Sequence, residues 1–190
     1  AYPNYPNAEW QGGWKQGNGE GVQCGSDKFC NNGICQTKSS ENLITNGDFS
    51  SGSNSWNRAA VFPGYAVVDS INKYLVIGDF GYAYQKVASL KNSQGKTFTL
   101  TFRATKSSNT GGEVDIQELP SWQTKSNIKL DSNDWKDYSL TFTVPTNNEH
   151  IITLTSTLGS RGNVFFDDVK LIEKQNVIDS AFCQKNQFYS

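Results

Sequence analysis

The chain has 190 residues, of which 36% are hydrophobic, 18% charged and 13% aromatic, and its formal net charge is −1. A chain of this length buries one substantial core with at most a small appendage, and its composition is polar without being charge-rich enough to stay disordered. Balanced charge without a Lys/Arg run excludes the basic surface that nucleic acid or an anionic bilayer requires, and no stretch reaches the roughly 20 apolar residues of a membrane span.

Residues 1–40 differ in texture from the rest. The chain opens Ala1-Tyr2-Pro3-Asn4 without Met or an apolar signal core, which reads as a processed, mature end. Trp10-Gln11-Gly12-Gly13-Trp14 and three further glycines lead into Cys24, Cys30 and Cys35. No window there repeats every 2 or 3.6 residues, so a loop-rich segment stapled by disulfides is expected. The fourth cysteine, Cys183, lies in the tail 175–190. An even count favours two disulfides and a secreted, extracellular chain, with three connectivities open. Full pairing would bond Cys183 into the cluster and tie the tail to the N-terminal segment. Free thiols or zinc ligands are the alternative, but His150 is the single histidine and no CxxC pair is present.

From 41 to 174 the pattern changes to short alternating runs separated by turn clusters, as in a sandwich or jelly roll. Strands are predicted over 97–104, 113–119, 138–144, 151–157 and 163–172. Turns fall at Asn109-Thr110-Gly111-Gly112, Asp131-Ser132-Asn133-Asp134, Pro145-Thr146-Asn147-Asn148 and Gly159-Ser160-Arg161-Gly162. Nothing reads as a long helix. If Val87, Phe98, Leu100, Phe102, Val114 and Ile116 point inward, alternation sends Tyr82, Tyr84, Lys86, Thr101, Arg103, Glu113, Asp115 and Gln117 outward.

Two motifs bracket this region. Asn46-Gly47-Asp48-Phe49, followed by a small turn and Trp56, resembles the opening of carbohydrate-binding modules of the family 4, 9 and 22 type. Phe165-Phe166-Asp167-Asp168-Val169-Lys170-Leu171 is similar to their closing strand. The resemblance covers about 42–173 and implies an all-β jelly roll of two antiparallel sheets, a polysaccharide or glycan partner, and one structural calcium ion. Phe49 and Trp56 suit a packing role, so the motifs argue fold more strongly than function.

A sugar offers apolar C–H faces and a rim of hydroxyls, so its site needs aromatic platforms beside amide, carboxylate or guanidinium groups. The outward set supplies Tyr82 and Tyr84 as platforms, with Arg103, Asp115 and Gln117 as hydrogen-bonding groups. Trp122, in a loop leaving a strand, is a further platform, and Trp135 is expected to be structural. For calcium, the resemblance brings Asp48 and Ser50 beside Asp167 or Asp168, with carbonyls of the 70–73 turn completing the shell, although Ser50 stands where such modules often have an acid.

Two rival readings come from the same residues. Glu113-Val114-Asp115-Ile116-Gln117-Glu118 resembles the Glu-x-Asp-x-x-Glu strand of family 16 glycoside hydrolases, which would make Glu113 the nucleophile, Asp115 its partner and Glu118 the acid/base. That needs carboxylates about 5 to 5.5 Å apart and a bulge between Asp115 and Glu118. The third class is a structural or adhesive protein that self-associates by strand addition. Non-catalytic glycan binding is the expected function.

Overall fold

The computed structural model describes residues 28–31, 34–37, 41–60, 64–157 and 162–174. The chain divides into two compact units, one formed by 1–39 with 175–190 and the other by 40–174. In the first, β1 (Lys28–Asn31) pairs antiparallel with β2 (Ile34–Thr37), and Cys30 stands opposite Cys35. This hairpin lies within the segment expected to be loop-rich. The signal was Asn32-Gly33, the dipeptide favoured between paired strands. Cys24, Cys183, Trp10 and Trp14 lie outside the described residues, as do the predicted bond to Cys183 and the tail.

The second unit is a sandwich of two five-stranded antiparallel sheets. Its strands are β3 (Asn57–Ala60), β4 (Tyr65–Val68), β5 (Leu75–Gly78), β6 (Gly81–Lys86), β7 (Thr97–Lys106), β8 (Gly112–Glu118), β9 (Gln123–Lys129), β10 (Lys136–Thr143), β11 (His150–Ser156) and β12 (Asn163–Lys174). The front sheet runs β3-β6-β11-β8-β9 and the back sheet β10-β7-β12-β5-β4, so the chain crosses between layers at most of its connections. The five predicted strands are all present. β9 is not among the predicted strands, because it is an edge strand with few apolar residues and so carries little alternation.

Alternation builds the core. Phe98, Leu100 and Phe102 of β7 are buried against Phe166 and Leu171 of β12 and against Tyr138 and Phe142 of β10. Val114, Ile116, Ile152 and Leu154 face them from the front sheet. Phe102 stacks on Tyr138 with ring centroids 5.3 Å apart and planes 8° from parallel.

The opening motif is a clasp and not a strand. Leu43 N donates to Leu171 O at 2.8 Å, Leu171 N to Asn42 Oδ1 at 2.9 Å, and Val169 N to Gly47 O at 2.9 Å, fixing residues 42–47 along β12. Phe49 is fully buried against Trp56, whose indole N–H donates to Asn46 O at 3.0 Å. Gly47 is required by contact: a Cβ there would lie 1.9 Å from the Val169 carbonyl oxygen. Gly52, at φ +66° with nothing within 4 Å, is required by backbone conformation alone.

Gly47→Ala is therefore expected to lower unfolding free energy by about 1–3 kcal/mol through overpacking against backbone, and Gly52→Ala by roughly 1 kcal/mol. Urea denaturation of the two variants measures both, and an equal or larger loss at Gly52 would contradict the clasp.

Candidate functional site

The outer face of the front sheet carries a trough whose cross-section follows from strand register. On β6, Ala83 and Gln85 turn inward, leaving Tyr82 and Tyr84 outward. On β8, Val114 and Ile116 turn inward, leaving Glu113, Asp115 and Gln117 outward. Between them runs β11, where Thr153 pairs with both Tyr84 and Asp115, and Thr155 with both Tyr82 and Glu113. Two strand spacings set the tyrosines about 10 Å from the acids across a floor of small hydroxyl side chains.

Trp122 closes one end. It sits in the turn between β8 and β9 at φ 56°, and its ring meets Tyr84 edge-on with centroids 5.6 Å apart, although Tyr84 belongs to β6. The indole thus reaches back across β11 while staying 48% exposed. Tyr82 and Tyr84 continue the wall, their centroids 6.3 Å apart and their planes within 26°. Tyr82, Trp122, Glu113, Asp115, Gln117, Thr124, Thr153 and Thr155 enclose a groove of about 380 Å³. Beyond Trp122 a second groove, of about 410 Å³, is lined by Lys91, Leu119, Pro120, Asn147, Asn148 and Glu149.

The polar groups are poised outward. Gln117 Oε1 accepts from the Thr153 hydroxyl at 2.8 Å, which orients its amide N–H groups away from that partner. Asp115 is only 6% exposed, and Thr124 donates to its Oδ1 at a long 3.4 Å. Burial, reinforced by the charge of Glu113, pushes the Asp115 carboxyl up to about 6.

Five of the six predicted sugar-contacting residues, Tyr82, Tyr84, Asp115, Gln117 and Trp122, converge here. Arg103 does not. It lies on the outer face of the back sheet, opposite Asp137 and Asp167, with its guanidinium 5.3 Å from the Trp135 ring centre. Alternation assigns a side chain to in or out and says nothing about which sheet holds the strand, so β6 and β7 gave identical signals. Trp135, expected to be structural, is 37% exposed and packs on Tyr74 at 5.7 Å. Thr124, Thr153 and Thr155 line the groove without any motif, and strand register is what brings them in.

The glycosidase pattern is not assembled. β8 keeps unbroken register with β11 from Gly112 to Glu118, and the irregularity near Gln117 falls on its pairing with β9. Without a bulge, Glu118 points to the Ile116 side, opposite Glu113 and Asp115. It pairs with Lys125 at 2.7 Å and accepts from the Asn148 amide, contacts that hold its carboxyl below the usual range.

The residues expected around calcium lie near one another, each with its own contacts. Ser50 donates to Asp48 Oδ1 through both its amide (3.2 Å) and its hydroxyl (3.0 Å), which lowers the Asp48 pKa. Asp167 is pushed up by burial and by the charges of Asp168 and Asp48, while Asp168 lies 3.9 Å from the Lys170 ammonium. Among the described residues, no three carboxylate, histidine or cysteine side chains converge to hold an ion.

No protein-family model and no curated protein matches the chain. Solved structures do. A CBM4 structure aligns with TM-score 0.55 at 20% identity, covering 69% of this chain and 99% of its own. A family 16 carbohydrate-binding module 2 gives 0.52 at 22%, covering 70% and 100%. The CBM22-1 xylan-binding domain from Paenibacillus barcinonensis Xyn10C gives 0.54 at 8%, covering 73% and 97%. At these identities the shared property is the β-sandwich fold.

Because the folded state holds the Asp115 proton more tightly than the unfolded chain, this group costs stability as pH rises from about 4 through about 6. Asp115→Asn should therefore be more stable than the parent by about 1–3 kcal/mol near pH 7.5, with the difference vanishing below about pH 4. Urea titrations across that range check the sign, and a less stable variant at neutral pH would contradict it. Thermal melts in calcium and in chelator test the expected ion: a Tm several degrees higher in calcium supports it, and an unchanged Tm removes it.

Proposed function

We propose that the 40–174 unit is a non-catalytic, glycan-binding module that seats a polysaccharide in the trough of the front sheet. The observation that carries this reading is the wall formed by Tyr82, Tyr84 and Trp122 facing Asp115, Gln117 and Glu113 across a hydroxyl floor. Rings stack on the C–H faces of a pyranose, and the amide and carboxylates take its hydroxyls. Apart from Trp122, in the β8–β9 turn, the groove lies on paired strands, so most of its geometry is fixed before the ligand arrives and little ordering entropy is lost.

The fold shared with carbohydrate-binding modules supports the reading, as does the placement of Glu118 away from Glu113 and Asp115, which leaves the hydrolase pattern without its acid/base. A secreted, disulfide-bonded chain is part of the proposal, supported by the absence of a free cysteine among the described residues. No helix among the described residues is long and apolar enough to cross a membrane.

One observation favours a second reading, self-association. Tyr65, Val67 and Trp135 are 39%, 44% and 37% exposed on or beside the outer face of the back sheet. Its outer strands β4 and β10 are free to add a neighbour within the described sheet. Light scattering decides it: a monomer at high concentration removes this reading.

The main test is binding and hydrolysis measured together on a polysaccharide panel. Retention without released reducing ends is expected. Trp122→Ala should weaken binding by roughly thirtyfold, the loss typical of an aromatic anchor, while Trp135→Ala should leave it unchanged. Loss at Trp135 instead, or sugar release abolished by Glu113→Gln, would overturn the assignment.

A further inference from the structure

The trough has a one-sided charge that bears on which glycan it takes. Of its eight lining residues only Glu113 and Asp115 are charged, and both are acids. They occupy alternate positions of β8 and so share one face. The nearby lysines are engaged or offset. Lys125 pairs with Glu118 at 2.7 Å, and Lys86 pairs with Glu149 at 2.6 Å. Lys129 stands opposite Glu113 in register on edge strand β9, outside the groove lining. Asp137, Asp167 and Arg103 belong to the other sheet.

Asp115 is the informative member. It is more than nine-tenths buried, faces the groove, and its hydrogen bond from Thr124 is long at 3.4 Å. A buried carboxylate ordinarily has a cation or several donors. This one has a like-charged neighbour.

A ligand can correct that imbalance in proportion to its charge. A uronate or sulfated sugar would bring a third anion into a groove whose lining holds no cation. A neutral hydroxyl would supply one donor. An ammonium supplies up to three donors and a positive charge, and the ring faces of Tyr82, Tyr84 and Trp122 attract cations as well. Resting on the glycan-binding reading, we propose that the trough takes polysaccharides of 2-amino-2-deoxy sugars with free amines, the ammonium lodging between Glu113 and Asp115, and that it rejects anionic glycans. The upward displacement of the Asp115 carboxyl, caused by burial and then by Glu113, is what a bound ammonium would relieve.

The experiment is calorimetric titration of the full chain with three hexasaccharides: glucosamine, N-acetylglucosamine and galacturonate, near pH 6.5. The glucosamine hexamer is expected to bind about tenfold to a hundredfold more tightly than its acetylated counterpart, the span of one charge-assisted hydrogen bond. That preference should shrink between about 50 and about 500 mM salt. Galacturonate should not bind. Asp115→Asn should bring the amine-to-acetyl affinity ratio to within about threefold, with an unchanged circular dichroism spectrum marking the variant as folded. In the parent protein, the Asp115 carboxyl carbon should titrate at lower pH once the glucosamine hexamer is bound. Equal or tighter binding of the acetylated hexamer, or any binding of galacturonate, overturns the amine assignment. Binding of a neutral β-glucan but none of the three hexamers overturns the assignment and leaves the glycan reading standing. Failure of every glycan overturns both.

Discussion

One face of most strands of the sandwich belongs to the core, and the rest of this unit follows from that constraint. Phe98, Phe102 and Phe166 of the back sheet, with Ile116, Ile152 and Leu154 of the front, fill the space between the layers with fully buried or nearly fully buried side chains. Burying them contributes on the order of 1.5–3 kcal/mol each, and shifting any strand by one residue would turn its apolar set toward water. Register is thus fixed by the interior. Once it is fixed, Tyr82, Tyr84, Glu113, Asp115 and Gln117 have no alternative to the outer face.

The outer face then follows its own logic. A strand of small side chains, β11, lies between one that bears rings and one that bears acids, so a trough forms without any loop having to build it. Trp122 adds a long reach, from the β8–β9 turn to Tyr84. Asp115 lies under this cover at an energetic cost, since its ionised form is disfavoured there. That cost, carried by a groove residue, supports the proposed binding site.

The sequence made the strands legible wherever both faces carried contrast, as in Thr97–Lys106, where Phe98, Leu100 and Phe102 alternate with polar residues. It left β9 hidden, because Gln123–Lys129 is an edge strand with Ile128 as its one large apolar residue. Side-chain direction was legible too, and it delivered Tyr82, Tyr84, Asp115 and Gln117 to the groove, while Trp122 came from its place in a loop. Sheet membership was not: the same alternation that brought out Tyr82 also brought out Arg103, and only pairing separates them onto opposite faces. Glu118 shows the complementary limit. Its place in the Glu-x-Asp-x-x-Glu pattern suggested a shared cleft, but an unbulged strand sends residues three apart to opposite sides.

Mapping a bound oligosaccharide onto the backbone by amide chemical-shift perturbation tests the central claim most directly, because it locates the ligand without presuming its contacts. The account predicts that the shifted amides cluster on β6, β8 and β11 and at Trp122, with the back sheet unmoved. Shifts concentrated around Tyr74, Arg103 and Trp135 would place the ligand on the wrong face of the sandwich and contradict it.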